Sequence, residues 1–220
     1  MMMHLDATAI LFDMDGTLID SSEASEITWQ RWSAAHGVPI EHIRRVHHGR
    51  LPAETVSIVA PHLDAAAEGR AIYDSQEQMT DGIRSIAGAK AFFGSVPMNR
   101  TAIVTAATTR ILQLRLGLVG IAPPAVCITA EHVTAGKPDP SGYREAARRL
   151  GVAPTDCVVF EDAPAGLLAA SRAGMRAVAI LSTYTERELR SELPATAAPA
   201  AFCRDFTALA FDGRRISIAS

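Results

Sequence analysis

Apolar positions along the chain fall into two alternating rhythms. Short unbroken runs end on a turn or on an acidic residue, at 9–12, 101–105, 125–129, 157–160, 176–181 and 200–203. Runs of this length bounded by turn signals predict buried strands. Between them the apolar residues recur at helical spacing, predicting helices over 86–93, 110–118, 141–150, 164–173 and 186–193. The stretch from 19 to 81 breaks the alternation and carries little strand signal. There Ser22 is expected to cap a helix over 23–35 that contains Ile27, Trp29 and Trp32 and stops at Gly37, and further helical pieces follow at 39–46, 52–60 and 65–80.

Strands and helices alternating in this way predict an α/β fold, with a parallel sheet, helices on both faces and right-handed crossovers. The expected organisation is an α/β core formed by residues 1–18 and 82–220, with an α-helical insertion over 19–81. No internal repeat is present, and the Ala- and Pro-rich stretch 193–201 reads as a surface loop.

Composition narrows the picture mostly by exclusion. A chain of 220 residues, 48% apolar and 20% charged, is ordinary for a globular protein. A net charge of −3, without a basic run, gives no footprint for nucleic acid. No apolar stretch reaches bilayer length, and the opening Met1-Met2-Met3-His4-Leu5-Asp6 lacks the basic and apolar regions of a signal peptide. Cys127, Cys157 and Cys203 are odd in number and widely spaced, which suggests thiols of a reducing compartment; a cytoplasmic location is expected. Lysine occurs only at Lys90, on an expected helix surface, and at Lys137, inside the rigid loop Ala135-Gly136-Lys137-Pro138-Asp139-Pro140.

Candidate chemistry gathers at the strand ends, where ligands of open α/β sheets bind. The first station is Ala9-Ile10-Leu11-Phe12-Asp13-Met14-Asp15-Gly16-Thr17-Leu18: a buried strand delivers two carboxylates one residue apart and turns at once on glycine. Such a pair is costly to bury without a cation, and a hard divalent ion with a phosphate suits it. The second is Thr105, whose hydroxyl, with the N–H groups of Ala106 and Ala107, can hold a phosphate oxygen. The third is Lys137, a point charge able to neutralise a phosphate and a carboxylate together. The fourth is Glu161-Asp162, closing Val158-Val159-Phe160 and again suggesting a metal site.

Taken in this order, the set resembles the haloacid dehalogenase superfamily: Asp-x-Asp-Gly-Thr, a Thr after the second core strand, a Lys before Pro, and the Glu-Asp pair. Phe160-Glu161-Asp162-Ala163-Pro164-Ala165-Gly166, His48-Gly49-Arg50 and Thr129-Ala130-Glu131-His132-Val133 look closest to its sugar-phosphatase and glycerol-phosphatase branch. The resemblance implies a Rossmann-like core with a helical cap. It implies Asp13 as nucleophile and Asp15 as general acid and base. It further implies Mg²⁺ held by Asp13, the Asp15 carbonyl and Asp162, with Glu161 as a further ligand or a supporting partner. Thr105, Ala106 and Lys137 would bind the phosphoryl group, and His48, Gly49 and Arg50 of the cap would set specificity. Where relatives often carry Ser-Gly or Asn-Gly after the Thr, this chain has Ala106-Ala107, which would be strained in a loop requiring positive φ.

The implied activity is hydrolysis of a small phosphorylated sugar or polyol. The alternatives are a phosphomutase resembling β-phosphoglucomutase, and a non-catalytic binding protein, which a missing nucleophile would have favoured. An acid at position 15 weighs against dehalogenase chemistry, and the absence of lysine between Asp20 and Gly82 removes a Schiff base supplied by the cap. The expected partner is a small-molecule phosphate ester, with no nucleic acid and no membrane, and the expected assembly is a monomer or weak dimer.

Overall fold

The unbroken apolar runs pair into one parallel sheet, in a computed structural model that describes residues 2–219. Met1 and Ser220, the outermost residues of the expected core segments, lie outside the described residues. The chain begins β1 (Met2–Asp6), β2 (Ala9–Phe12), β3 (Ile19–Asp20), α1 (Ser22–His36), α2 (Ile40–Arg44), α3 (Pro52–Val59), α4 (Ala65–Gln78), β4 (Arg84–Ser85) and α5 (Ala89–Ser95). It continues β5 (Thr101–Val104), α6 (Thr109–Val119), β6 (Val126–Ile128), α7 (Ser141–Leu150), β7 (Cys157–Glu161), α8 (Pro164–Arg172), β8 (Arg176–Ile180), α9 (Glu186–Glu192), β9 (Ala201–Cys203), β10 (Leu209–Phe211) and β11 (Arg215–Ala219).

The main sheet has the order β6-β5-β2-β7-β8-β9, and all its neighbours are parallel. Every residue of β2, β5 and β7 is buried, as a sheet covered on both faces requires. The strand period of two divides their side chains between two apolar layers. Ile10, Phe12, Val158 and Phe160 enter one layer with Phe92, Phe93 and Phe206. Ala9, Leu11, Cys157 and Val159 enter the other with Tyr143 and Leu167. Phe12 stacks on Phe160 at 5.4 Å between ring centroids, and Phe206 sits 5.2 Å from Phe160.

The helices α1–α4 close around a cluster of their own, with Trp29, Trp32, Ile43, Val56 and Ile72 at its centre. They join the sheet through the antiparallel ribbon β3–β4, in which Ile19 faces Ser85 and Asp20 faces Arg84. Helix α1 stops where Gly37 adopts a left-handed conformation at φ 65° and returns its N–H to the Ser33 carbonyl.

Three features differ from the sequence expectation. Ser22 is the first residue of α1 and not its cap. Ser21 occupies the cap position without capping, because its hydroxyl donates to the Asp15 carboxylate at 2.6 Å. The helix expected from residue 86 starts at Ala89, after Gly88 at φ +75°; a Cβ on Gly88 would come within 2.7 Å of the Phe206 backbone. A second, antiparallel sheet of order β1-β11-β10 was not anticipated. In it Met2–Asp6 pairs with Arg215–Ala219, and Leu5, Ile216 and Ile218 turn inward. Among the described residues, no helix is long and apolar enough to cross a membrane. Cys157 and Cys203 are buried, Cys127 is half-buried, and all three are free thiols.

Phe206 follows the last strand of the main sheet, yet its ring belongs to the layer under β2. Phe206→Ala should therefore lower unfolding free energy by about 3–5 kcal/mol in a urea titration. A loss below about 1 kcal/mol would mean that this segment is not part of the core.

Candidate active site

Three adjacent strands deliver the polar groups of the site to one edge. Phe12 is in register with Ile103 of β5 and with Phe160 of β7. The residues that follow, Asp13, Val104-Thr105 and Glu161-Asp162, therefore emerge side by side. Lys137 arrives from the loop between β6 and α7. Its ammonium donates to the Asp13 carboxylate, lies 2.7 Å from Glu161 Oε1, and donates to the Val104 carbonyl at 3.1 Å. All four charged groups are buried: Asp13, Lys137, Glu161 and Asp162 are at most 6% exposed.

The surrounding residues fix this constellation. Glu161 has no solvent contact; Tyr143 of α7 donates to its Oε1 at 2.5 Å, and its Oε2 accepts the Asp162 N–H at 3.2 Å. Asp162 accepts from Thr183 and, at 3.4 Å, from Thr17. Gly16, at φ +83°, brings the turn after Asp15 against Asp162, and any side chain there would overlap the carboxylate. Ser182 donates to the Gly16 carbonyl from the far side. Asp15 lies apart from the carboxylate cluster. Its Oδ1 accepts from Ser21 and from Arg115 Nη1, each at 2.6 Å.

The charges do not balance. Asp13, Glu161 and Asp162 bring ligand oxygens within 4.8 Å of one another, against one ammonium. Burial pushes the Asp13 pKa well above the usual carboxylate range; Lys137 opposes the rise, while Glu161 and Asp162 add to it. Burial, reinforced by Glu161, pushes Asp162 up to about 7, against the pull of Thr183 and Lys137. Burial alone would lower Lys137, but Asp13 and Glu161 raise it above the ordinary lysine value. A buried, oxygen-only donor set with excess negative charge fits a hard divalent cation. Glu161 is fully buried and does not line the cleft, whereas Asp13 and Asp162 do, so these two are the carboxylates placed to face such an ion.

These groups open on a cleft of about 350 Å³ between the sheet and the helical unit. Its floor includes Asp13, Asp15, Thr105, Ala106 and Asp162; its roof includes Glu26, Trp29, His47, His48, Arg50 and Gln76. Thr105 Oγ1 accepts the Ala107 N–H at 3.1 Å, so that amide serves the loop itself, in contrast to its expected part in holding a phosphate. The expected strain at Ala106-Ala107 is also absent: among the described residues, every positive φ belongs to a glycine.

His48 meets Tyr184 at 3.2 Å, and Gly49, at φ +76°, rests against Ala163 and Ala165 beside Asp162. Burial holds His47 down to about 3, and burial likewise lowers His48, so the loop presents neutral imidazoles and Arg50. Three further contacts join the helical unit to the core. Tyr73 donates to the Ala106 carbonyl at 2.9 Å, the Gly136 N–H donates to Glu54 at 2.7 Å, and Arg110 pairs with Glu77 at 2.9 Å.

Sequence reasoning missed Arg115, Tyr143, Ser21, Thr183, Trp29 and Glu26. For Arg115 a signal existed, since it shares the buried face of α6 with Ile111, Leu112 and Leu116. An arginine at the centre of an apolar face requires a partner. The others carry no such mark.

The fold and site define an α/β protein with a carboxylate poised beside a buried lysine at the carboxyl edge of a parallel sheet. Residues 7–174 match the family model for haloacid dehalogenase-like hydrolases, and the chain belongs to that family. It is 36% identical to hexitol phosphatase A of Escherichia coli over 177 residues, covering 77% of this chain and 81% of that protein. It is 35% identical over 188 residues to validoxylamine A 7'-phosphate phosphatase of Streptomyces hygroscopicus, covering 81% and 88%. The fold superposes on the crystal structure of a hydrolase from Pseudomonas syringae with a TM-score of 0.78 at 23% identity, covering 90% and 94%.

The raised Asp162 pKa makes its own contribution to stability without metal fall as pH rises from about 4 to about 7, because the folded chain keeps a proton that the unfolded chain releases. The lowered His47 and His48 act in the opposite sense over much of this window, since the unfolded imidazoles bind protons that the folded ones do not. Mg²⁺ separates the two effects: the gain in urea midpoint from Mg²⁺ over chelator should grow from about pH 4.5 to about 7, as protons cease to compete for Asp162. A gain that shrinks across the window, or no gain at any pH, counts against the charge balance described here.

Proposed function

We propose that the chain is a Mg²⁺-dependent phosphatase acting on small phosphorylated sugars or polyols through an aspartyl-phosphate on Asp13. The observation that carries this reading is Asp13, on the floor of a cleft roofed by Trp29 and polar groups and ion-paired with the buried Lys137. The curated relatives named above, a hexitol phosphatase and a validoxylamine A 7'-phosphate phosphatase, support the substrate class.

In this reading Asp13 attacks phosphorus and takes the phosphoryl group as an acyl phosphate. Lys137 and Thr105 hold the phosphoryl oxygens, and Lys137 offsets the repulsion between two anions. Asp15 gives a proton to the departing alkoxide and later takes one from the hydrolytic water. Asp13 and Asp162, with the Asp15 carbonyl, would hold Mg²⁺. When bound, the ion supplies charge neutralisation and phosphate orientation. Glu161 acts behind this layer, keeping Lys137 in place. The helical unit, residues 19–81, serves as a cap that excludes water, and His48, Gly49 and Arg50 meet the substrate's distal end.

The roof favours polyols. Trp29 offers an apolar face, while Glu26, Gln76 and the neutral histidines offer hydrogen-bond partners suited to hydroxyl groups.

Phosphate release from hexose, pentose, hexitol, glycerol and nucleotide monophosphates tests the proposal. Release should require Mg²⁺, favour sugar or polyol esters, and fall at least ~10³-fold in Asp13→Asn, the scale of losing a catalytic nucleophile. Conversion between sugar phosphates, dependent on a bisphosphate primer and without net release, would replace the hydrolase reading by a mutase. Full activity in Asp13→Asn would overturn both.

A further inference from the structure

We propose that Arg115, with Ser21, is a positioning pair for Asp15: it clamps one carboxylate oxygen so that the other carries the catalytic proton. The proposal rests on the reading of Asp15 as general acid and base.

Arg115 is the one buried arginine among the described residues, 3% exposed on the apolar face of α6. Its Nη1 donates to Asp15 Oδ1 at 2.6 Å. Its Nε and Nη2 are shielded from solvent and find no partner among the described residues. A guanidinium is costly to bury and is normally matched by several acceptors. Here that cost is met for a single bond, and the bond goes to the residue placed two positions after the nucleophile. Structural salt bridges of arginine are commonly bidentate, engaging both oxygens of a carboxylate. This one is not.

The second donor makes the geometry asymmetric. Ser21 Oγ reaches the same oxygen, Oδ1, at 2.6 Å, and does so in preference to capping α1. Two donors on Oδ1 leave no room for a proton there, so protonation falls on Oδ2. Carboxylate rotation about χ2, which would exchange the oxygens, is opposed by both bonds. Asp15 itself remains partly open on the cleft, with its side chain 30% exposed. The clamp therefore presents one proton-carrying atom in one orientation. This matters in a reaction that uses the same atom first as donor and then as acceptor. The proton moves from Oδ2 to the ester oxygen as the P–O bond breaks. It returns to Oδ2 from the water as the new P–O bond forms and the acyl phosphate on Asp13 opens, so no further reagent is needed.

Ser21 also ties the clamp to the helical unit. It lies between β3 of the linking ribbon and α1 of the helical unit, whereas Arg115 belongs to the core. Asp15 is thus gripped from both sides of the boundary.

The test is how kcat/KM depends on the leaving group, because an aryl ester with an acidic phenol needs no proton and an alkyl ester does. p-Nitrophenyl phosphate, phenyl phosphate and glycerol phosphate are compared in the wild type, Arg115→Met, Arg115→Lys, Ser21→Ala and Asp15→Asn, with full metal loading. Arg115→Met should lose at least ~10-fold more on glycerol phosphate than on p-nitrophenyl phosphate, within the range of acid catalysis. Arg115→Lys should recover part of that difference. Ser21→Ala, which changes packing least, should show the same selectivity at several-fold, whether or not Arg115→Met folds. Combined with Asp15→Asn, neither change should add further selectivity.

Equal losses on all three esters in Arg115→Lys and Ser21→Ala would overturn the clamp and leave Arg115 a structural residue. Should Asp15→Asn itself show no leaving-group selectivity, the acid role of Asp15 fails, and the clamp fails with it for that separate reason. Selective loss in Asp15→Asn without it in the clamp variants overturns the clamp alone.

Discussion

One ammonium surrounded by carboxylates organises this molecule. Lys137 is buried between Asp13 and Glu161, in a place where an unpaired charge would cost several kcal/mol, roughly 3–5 if either partner were lost. To hold it, three parallel strands must end at one level, the loop before α7 must cross their edge, and Tyr143 must reach from α7 to the far side of Glu161. The apolar layers under Phe12 and Leu11 are correspondingly tight, because a shift of one residue in β2 would turn its side chains over and remove Asp13 from Lys137. Packing and electrostatics here constrain the same few residues.

The contacts between helical unit and sheet fall beside that centre. Tyr73 meets the carbonyl of Ala106, next to Thr105. Glu54 takes the N–H of Gly136, next to Lys137, and a Cβ on Gly136 would press on Leu51 at 2.8 Å. His48 reaches Tyr184, just past the Ser182-Thr183 pair that steadies Gly16 and Asp162. The roof of the cleft thus leans on the loops that carry the floor.

Much of this was readable in the chain. The runs 9–12, 101–105 and 157–160 are apolar without interruption because both faces of the sheet are covered, and that continuity marks them as strands. Asp13, Thr105, Lys137 and Glu161-Asp162 stand out because polar residues end those runs, or lie in a loop fixed by proline. The small sheet was hidden for the opposite reason: β1 buries little beyond Leu5, and its partner β11 lies at the other end of the sequence. Ribbon β3–β4 has two residues on each side, too few for any periodicity. Tyr143 looks like one more apolar residue of α7, and Ser21 is unmarked beside Ser22, the expected cap. Their roles depend on Glu161 and Asp15, which only the folded chain brings near. Arg115 differs, since its charge contradicts the face it occupies and that contradiction is local.

The position of β2 also bears on the order in which the chain can assemble. Its residues pair with β5 about 90 positions later and with β7 about 150 positions later. At a translation rate of ~5–20 residues per second, roughly seven to thirty seconds separate synthesis of the Ala9–Phe12 run from that of its second partner. The helices α1–α4 need no such wait, because their apolar cluster closes within residues 29–72. The contacts of that cluster are thus all available while the central strand still lacks its neighbours. During that interval the uninterrupted apolar run Ala9–Phe12 has no strand beside it, the kind of exposed segment on which misassembly begins.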